Sequence, residues 1–209
     1  MVTRSSCARP YMMVGMIVAF TLVALTACGS PTAGPTPTVT PNSTATVAAT
    51  ATTAATVTPG SSGPYHVYVY FSRKPDSQND PTRVFPVDRY SPTLGVATYA
   101  IEQLIAGPTA SEAAAGYFSE IHGLLSGSSN CGGADFKITL DHKGPTSATG
   151  YATVQFCRTV NLPGDLAGAY ISSEIAATLL QFPNNHHAVI LNAQGGCFND
   201  LSGQNLCLQ

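Results

Sequence analysis

Residues 65–71 read Tyr65-His66-Val67-Tyr68-Val69-Tyr70-Phe71. Aromatic and β-branched side chains fit a pleated, half-buried backbone, and here they alternate along the chain. The stretch predicts a first β-strand. It also marks a boundary. From Ser30 to Gly63 the chain holds only Pro, Thr, Ala, Gly, Ser, Val and one Asn, with no charge and no aromatic ring. A segment with nothing large to bury cannot offset its ordering entropy, so residues 28–63 read as a disordered Thr/Pro/Ala-rich stalk. Residues 64–209 read as the folded domain, long enough for one two-layer core.

Downstream of the first strand, residues 83–89 (Arg-Val-Phe-Pro-Val-Asp-Arg) predict a second extended piece, with Pro86 confining it to an edge. Ser91-Pro92 reads as a helix start, Ser91 capping and Pro92 in first position. Leu94, Ala97, Ile101, Leu104 and Ile105 follow helical spacing, and Gly107-Pro108 stops the run. A short helical piece is expected over 111–115, then a Gly/Ser-rich loop over 119–133. Residues 134–141 and 151–158 read as a strand pair joined by a loop over 142–150. Asp165 reads as the cap of a helix reaching about Gln181, its buried stripe formed by Leu166, Tyr170, Ile171, Ile175, Leu179 and Phe182. Pro183 ends it, and residues 188–192 supply the last strand. The expected class is α+β, a two-layer sandwich of a mixed or antiparallel sheet with two main helices, in β-α-β-β-α-β order with decorations.

Upstream of the stalk, Arg4 and Arg9 precede a 15-residue apolar run, residues 11–25, and then Thr26-Ala27-Cys28-Gly29-Ser30. A positive region, a short apolar run and small residues form a secretory signal over residues 1–27. The run falls short of the ~20 residues that span a bilayer. Leu25-Thr26-Ala27-Cys28 resembles a bacterial lipobox, which implies lipid attachment at Cys28 and an exported protein held at the membrane with its domain on the extracytoplasmic side. Without the leader the chain keeps seven cations against eleven anions, a net charge of −4. No Lys/Arg cluster offers the basic face that nucleic-acid binding requires, so no nucleic-acid partner is expected.

Several stretches together resemble the GerMN domain, a family found in bacterial sporulation and germination proteins and other envelope lipoproteins. They are Tyr70-Phe71 ending the first strand, Val84-Phe-Pro-Val-Asp-Arg89, Ala100-Ile-Glu-Gln-Leu-Ile-Ala-Gly-Pro108, Glu112, Gly116-Tyr-Phe-Ser-Glu-Ile121, Tyr151-Ala-Thr-Val154 and Glu174-Ile-Ala-Ala-Thr-Leu-Leu-Gln-Phe-Pro183. The resemblance implies a small module similar to the ring-building modules of secretion and sporulation assemblies. It implies protein contacts outside the cytoplasm, and no catalytic motif. Within these stretches, Arg89 is expected to pair with Glu102 or Glu112, and Thr178 to bond back to its own helix.

Beyond Cys7 and Cys28, four cysteines remain: Cys131, Cys157, Cys197 and Cys207. An even number in an exported chain reads as two disulfides. Of the three connectivities, Cys131–Cys157 with Cys197–Cys207 is preferred because it needs no crossing. A four-thiolate zinc site would need closely spaced pairs, and none occurs. His186-His187 would point to opposite faces of a strand, so the pair reads as a polar turn. A Ser/His/Asp set drawn from Ser126, Ser128, Ser129, His122 and Asp135 is conceivable, as is an Asp135/Asp141 carboxylate pair. Neither has a sequence motif behind it. No catalytic residue, metal or cofactor is therefore expected. The expected function is a lipid-anchored, non-catalytic protein-interaction or assembly module of the envelope, with Tyr65, Tyr68 and Tyr70 as a contact strip and a protein partner or self-association. The alternative is a lipoprotein binding a small molecule or cell-wall fragment, with residues 119–135 as a lid.

Overall fold

The computed structural model describes residues 63–209. The signal expected over 1–27, the expected lipid attachment at Cys28 and the stalk expected up to residue 63 fall on residues outside the described ones, Gly63 excepted. The described part is α+β. Strand β1 (Tyr65–Arg73) pairs antiparallel with β2 (Phe85–Ser91), Tyr65 opposite Ser91 and Phe71 opposite Phe85. Then come α1 (Val96–Ala106), the one-turn α2 (Ala110–Ala114) and the two-residue strands β3 (Tyr117–Phe118) and β4 (Leu125–Ser126). The hairpin β5 (Phe136–Lys143) and β6 (Thr146–Phe156) follows, with the short β7 (Thr159–Val160), helix α3 (Asp165–Leu180) and β8 (His187–Leu191).

Where one sheet was expected, the described strands form three: β2-β1-β3, β4-β7 and β5-β6-β8. β6 and β8 run parallel, joined through α3, and the other pairs are antiparallel. The larger two sheets share one core. Val67, Val69 and Phe71 of β1 meet Ile101 and Leu104 of α1, Ala152, Val154 and Phe156 of β6, and Ile171, Ile175 and Leu179 of α3.

The division into sheets has a physical cause in α3. With β2 on one edge of β1, the N–H groups of Tyr68, Tyr70 and Ser72 face the other way, and β3 meets that edge only at Ser72 and Arg73. The rest is met by helix side chains. Gln181 Oε1 accepts from Tyr68 N–H at 2.8 Å and its Nε2 donates to the Tyr68 carbonyl at 2.7 Å. Thr178 Oγ1 accepts from Tyr70 N–H at 3.1 Å. Glu174 Oε1 accepts from Ser72 N–H at 3.2 Å and Ser72 Oγ at 2.7 Å, while Oε2 accepts from Glu120 N–H at 3.2 Å. Residues 174, 178 and 181 share one helix face. A polar stripe on a helix thus occupies the place of a neighbouring strand. Thr178, expected to serve its own helix, serves β1 instead, because an unpaired strand edge is the more costly group to leave unsatisfied.

Helix boundaries differ from expectation. Ser91 is the last residue of β2, its hydroxyl bonded to Thr93, and α1 starts at Val96 behind Gly95 with no side-chain cap. Asp165 lies in the first turn of α3 behind Gly164 and caps nothing. Leu166 and Leu94, expected inside, are 55% and 78% exposed. The loop over 142–150 contracts to the turn Gly144-Pro145, because β5 and β6 extend past a bulge at Asp141. There Thr153 Oγ1 accepts from Gly144 N–H and donates to the His142 carbonyl.

Between the expected partners of Arg89, the structure selects Glu112. Both guanidinium nitrogens reach its carboxylate at 2.7 Å, and Arg89 is 3% exposed. Glu112 also completes a capping box with Thr109. Arg89 Nη1 reaches the Asp88 carbonyl, at the outer edge of β2, at 2.9 Å. The disulfides are Cys131–Cys157 and Cys197–Cys207, with Cα separations of 5.6 and 5.9 Å. The first ties the 127–133 loop to the end of β6. The second folds the tail back on β8, where Cys197 bridges Leu191 and Phe198 packs on Phe156 at 5.4 Å.

Two predictions follow from the buried charges. Glu112→Ala leaves Arg89 buried without its counter-ion and opens the α2 cap, and should cost ~3–5 kcal/mol in chemical denaturation. Glu102→Gln, the control, should stay within ~1 kcal/mol. The second concerns pH. Burial pushes the Glu174 carboxyl up to about 8 from its ordinary 4.5, despite the Ser72 and Glu120 donors that favour its ionised form. Between those values the folded protein holds a proton that the unfolded chain has lost, so stability should fall as pH rises, by up to ~1.4 kcal/mol per unit. Burial would also raise Glu112, but its bonds to Arg89 and Thr109 outweigh that and hold it below 4.5. Its contribution is lost as pH falls below that value. Thermal melts across pH should peak in the mildly acidic range, and Glu174→Gln should flatten the neutral-side decline.

Candidate functional site

The hairpin β1–β2 turns one face to the core and the other to solvent. On β1 the outward positions are His66, Tyr68 and Tyr70; the register sets Tyr90, Asp88 and Pro86 of β2 opposite them. His66 lies 4.8 Å from the Tyr68 ring and 5.2 Å from the Tyr90 ring, centre to centre, and Tyr68 lies 6.4 Å from Tyr70. The rings therefore form a continuous strip, Tyr90-His66-Tyr68-Tyr70, spanning both strands. They meet at steep angles, 82° for His66 and Tyr68 and 65° for Tyr68 and Tyr70, so edges and faces alternate at the surface. Tyr68 and Tyr90 are 39% and 46% exposed. The charged group of the strip is Asp88, whose Oδ1 lies 2.6 Å from His66 Nε2.

The strip is held from behind. Val67, Val69 and Phe71 anchor β1 in the core, and Gln181 clamps both polar backbone groups of Tyr68. An exposed aromatic surface on a rigid base suits recognition: Tyr supplies apolar area with little rotamer entropy to lose and a hydroxyl for hydrogen bonding. Tyr65, expected in the strip, is 37% exposed but alternates to the other face of β1, away from the ring contacts that join Tyr90, His66, Tyr68 and Tyr70. The residues that sequence reading missed are His66 and Tyr90. His66 was legible from alternation once the strand was accepted. Tyr90 required the hairpin register, which the eleven-residue connection after Arg73 does not specify.

The other candidates are not assembled. Ser126 Oγ accepts from Asn161 Nδ2 at 2.7 Å, and Ser129 Oγ donates to the Ala134 carbonyl at 2.5 Å. His122 Nδ1 lies 3.1 Å from the Ile105 carbonyl, and Asp135 pairs with Arg158 at 2.5 Å. None of Ser126, Ser128 and Ser129 bonds a histidine among the described residues. Asp141 accepts from Gly150 N–H at the hairpin bulge, while the Asp135 carboxylate is engaged by Arg158. His187 stacks on Tyr151 at 4.4 Å, across the β6–β8 pair. Cys131, Cys157, Cys197 and Cys207 are all engaged as disulfides. Among the described residues no three of His, Cys, Asp and Glu gather as metal ligands would.

If the strip serves recognition and not folding, its removal should leave the fold intact. Tyr68→Ala and Tyr90→Ala should each cost no more than ~0.5–1.5 kcal/mol, the scale of one aromatic pair. Phe71→Ala, on the opposite face of the same strand, should cost ~3–5 kcal/mol. Denaturant midpoints of the three variants measure the contrast. No family model, no curated protein and no solved structure matches this chain.

Proposed function

We propose that this protein is an extracytoplasmic, lipid-anchored module of GerMN type that works by binding and not by catalysis. The observation that carries the proposal is the exposed strip Tyr90-His66-Tyr68-Tyr70, which the fold supports from behind but does not bury. Its partner is another envelope protein or a second copy. Two disulfides accord with an oxidising compartment outside the cytoplasm. The sequence Leu25-Thr26-Ala27-Cys28 supports attachment through Cys28. The GerMN reading gains support from the way its quoted stretches meet: Arg89 binds Glu112, and Glu174, Thr178 and Gln181 bind β1. These contacts hold the fold together, in keeping with a resemblance that implies no catalytic motif.

The test is photocrosslinking of the full-length lipoprotein in its native membrane from a benzophenone side chain at Tyr90. A defined protein adduct is expected, lost in Tyr68→Ala and in Cys28→Ala. A crosslink that survives Tyr68→Ala, or the absence of any protein adduct at Tyr90, would overturn the assignment of this face as the contact surface.

A further inference from the structure

The β5-β6-β8 sheet has a face that the core does not use. Ile138, Val154 and Ile190 turn toward the core, so Lys137, Thr139, Gln155 and Leu191 turn the other way. Over this face lies a cavity of about 370 Å³, within the size range of small-molecule sites. The hairpin turn Gly144-Pro145, Thr153 and Gly195 also border it. Its walls are braced. Thr153 spends its hydroxyl on the hairpin turn, as acceptor from Gly144 N–H and donor to the His142 carbonyl. Leu208 packs so closely on Gly144 that a Cβ there would not fit, and the adjoining Cys207 is tied to Cys197. No residue of the 119–135 loop, expected as a lid, lines this cavity.

The cavity is distinguished by unspent polar groups. Seven cations lie among the described residues. Arg73, Arg83, Arg89 and Arg158 pair with carboxylates, Lys74 sits over the Phe118 ring, and Lys143 donates to the Gln209 carbonyl. Lys137 has no carboxylate, carbonyl or ring partner among the described residues. The side chains of Thr139 and Gln155 likewise make no hydrogen bond among them. Lys137 stands opposite Gln155 in register, and Thr139 is two residues along β5 on the same face. The three positions bound a triangle with sides of about 5–8 Å. Among the described residues no Asp or Glu lines the cavity, so no acid of its wall neutralises the ammonium.

A lone ammonium matches a single negative charge. A carboxylate carries one and accepts from both an ammonium and a hydroxyl. The Gln155 amide offers a donor and an acceptor side by side, the complement of another amide. Leu191 and Pro145 supply an apolar border. We propose that this cavity binds a small N-acylated amino acid, its carboxylate on Lys137 and Thr139, its amide on Gln155 and its side chain against Leu191 and Pro145. The last residue of a short peptide presents the same groups. The site lies on a different sheet from the aromatic strip and does not rest on the function proposed for that strip.

The test is a chemical-shift titration of the isotope-labelled full-length protein, in detergent micelles, with N-acetyl-leucine. Saturable shifts are expected at the backbone amides of Lys137, Thr139 and Gln155. N-acetyl-leucinamide, which has the same shape without the charge, should bind at least about tenfold more weakly. Lys137→Gln should weaken N-acetyl-leucine by a similar factor, while Lys137→Arg should stay within about threefold of the parent. Lys137 is exposed, so these changes spare the core, and unchanged shifts elsewhere in the spectrum verify it. The tripeptide glycyl-glycyl-leucine separates the two sources of this chemistry: tighter binding than N-acetyl-leucine supports a peptide end, weaker binding the free acyl amino acid. No saturable shift at these three residues up to about 10 mM would overturn the proposal. So would a Lys137→Gln variant that binds as the parent does, or inorganic phosphate binding as tightly as N-acetyl-leucine.

Discussion

The contact between the polar stripe of α3 and the open edge of β1 is the constraint on which the architecture depends. Strand β1 carries three of the core's buried side chains, Val67, Val69 and Phe71, and must therefore run through the interior. A strand there needs partners on both edges, because an unpaired N–H or carbonyl away from water costs about as much as a lost hydrogen bond. Strand β2 serves one edge. On the other, Glu174, Thr178 and Gln181 perform for Ser72, Tyr70 and Tyr68 what a neighbouring strand would do. The arrangement lets a helix stand where the sheet would have continued, and it explains why two three-stranded sheets flank a single core. The helix must then be apolar toward Ile171, Ile175 and Leu179 and polar along an adjacent line.

Glu174 is the part of the stripe with an electrostatic consequence. Thr178 and Gln181 are neutral at every accessible pH, but Glu174 offers its oxygens to three donors from a fully buried position. Its charge is opposed by burial and favoured by those bonds, and burial prevails. At Arg89 the balance is different. The cation is always charged, so it is tolerated inside only because Glu112 meets it with two short bonds. Glu112 is fixed in turn by Thr109 at the start of α2, so a five-residue helix with no buried residue of its own still has a structural duty. It aims one carboxylate.

Much of this was legible in the sequence, and the reasons are local. Val67, Val69 and Phe71 announced β1 through alternation; Gly107 stopped α1, its φ of 85° being open to glycine at little cost; Pro86 marked β2 as an edge. The disulfide pairing followed from avoiding a crossing. What was not legible depends on contacts between distant segments. The polar face of α3 resembles any solvated helix face until β1 is placed beside it, a separation of over 100 residues. The aromatic site was half visible: Tyr68 and Tyr70 were named, while Tyr90 joined them only through hairpin register. Ser91-Pro92 misled because a serine before proline is a good local start signal, and here the β2 ladder claimed the serine first.

The outer edge of β2 bears on how this protein behaves in company. Its register turns Asp88 and Tyr90 backbone groups outward, along with the position of Pro86. Proline has no N–H to offer, and the Asp88 carbonyl is already bonded by Arg89. A neighbouring molecule approaching to extend the sheet thus meets one missing donor and one occupied acceptor within three residues. At this edge, crowded copies meet a poor template for the backbone pairing by which sheet proteins aggregate. Any association through this hairpin has to be read from side chains, and so has to be selective.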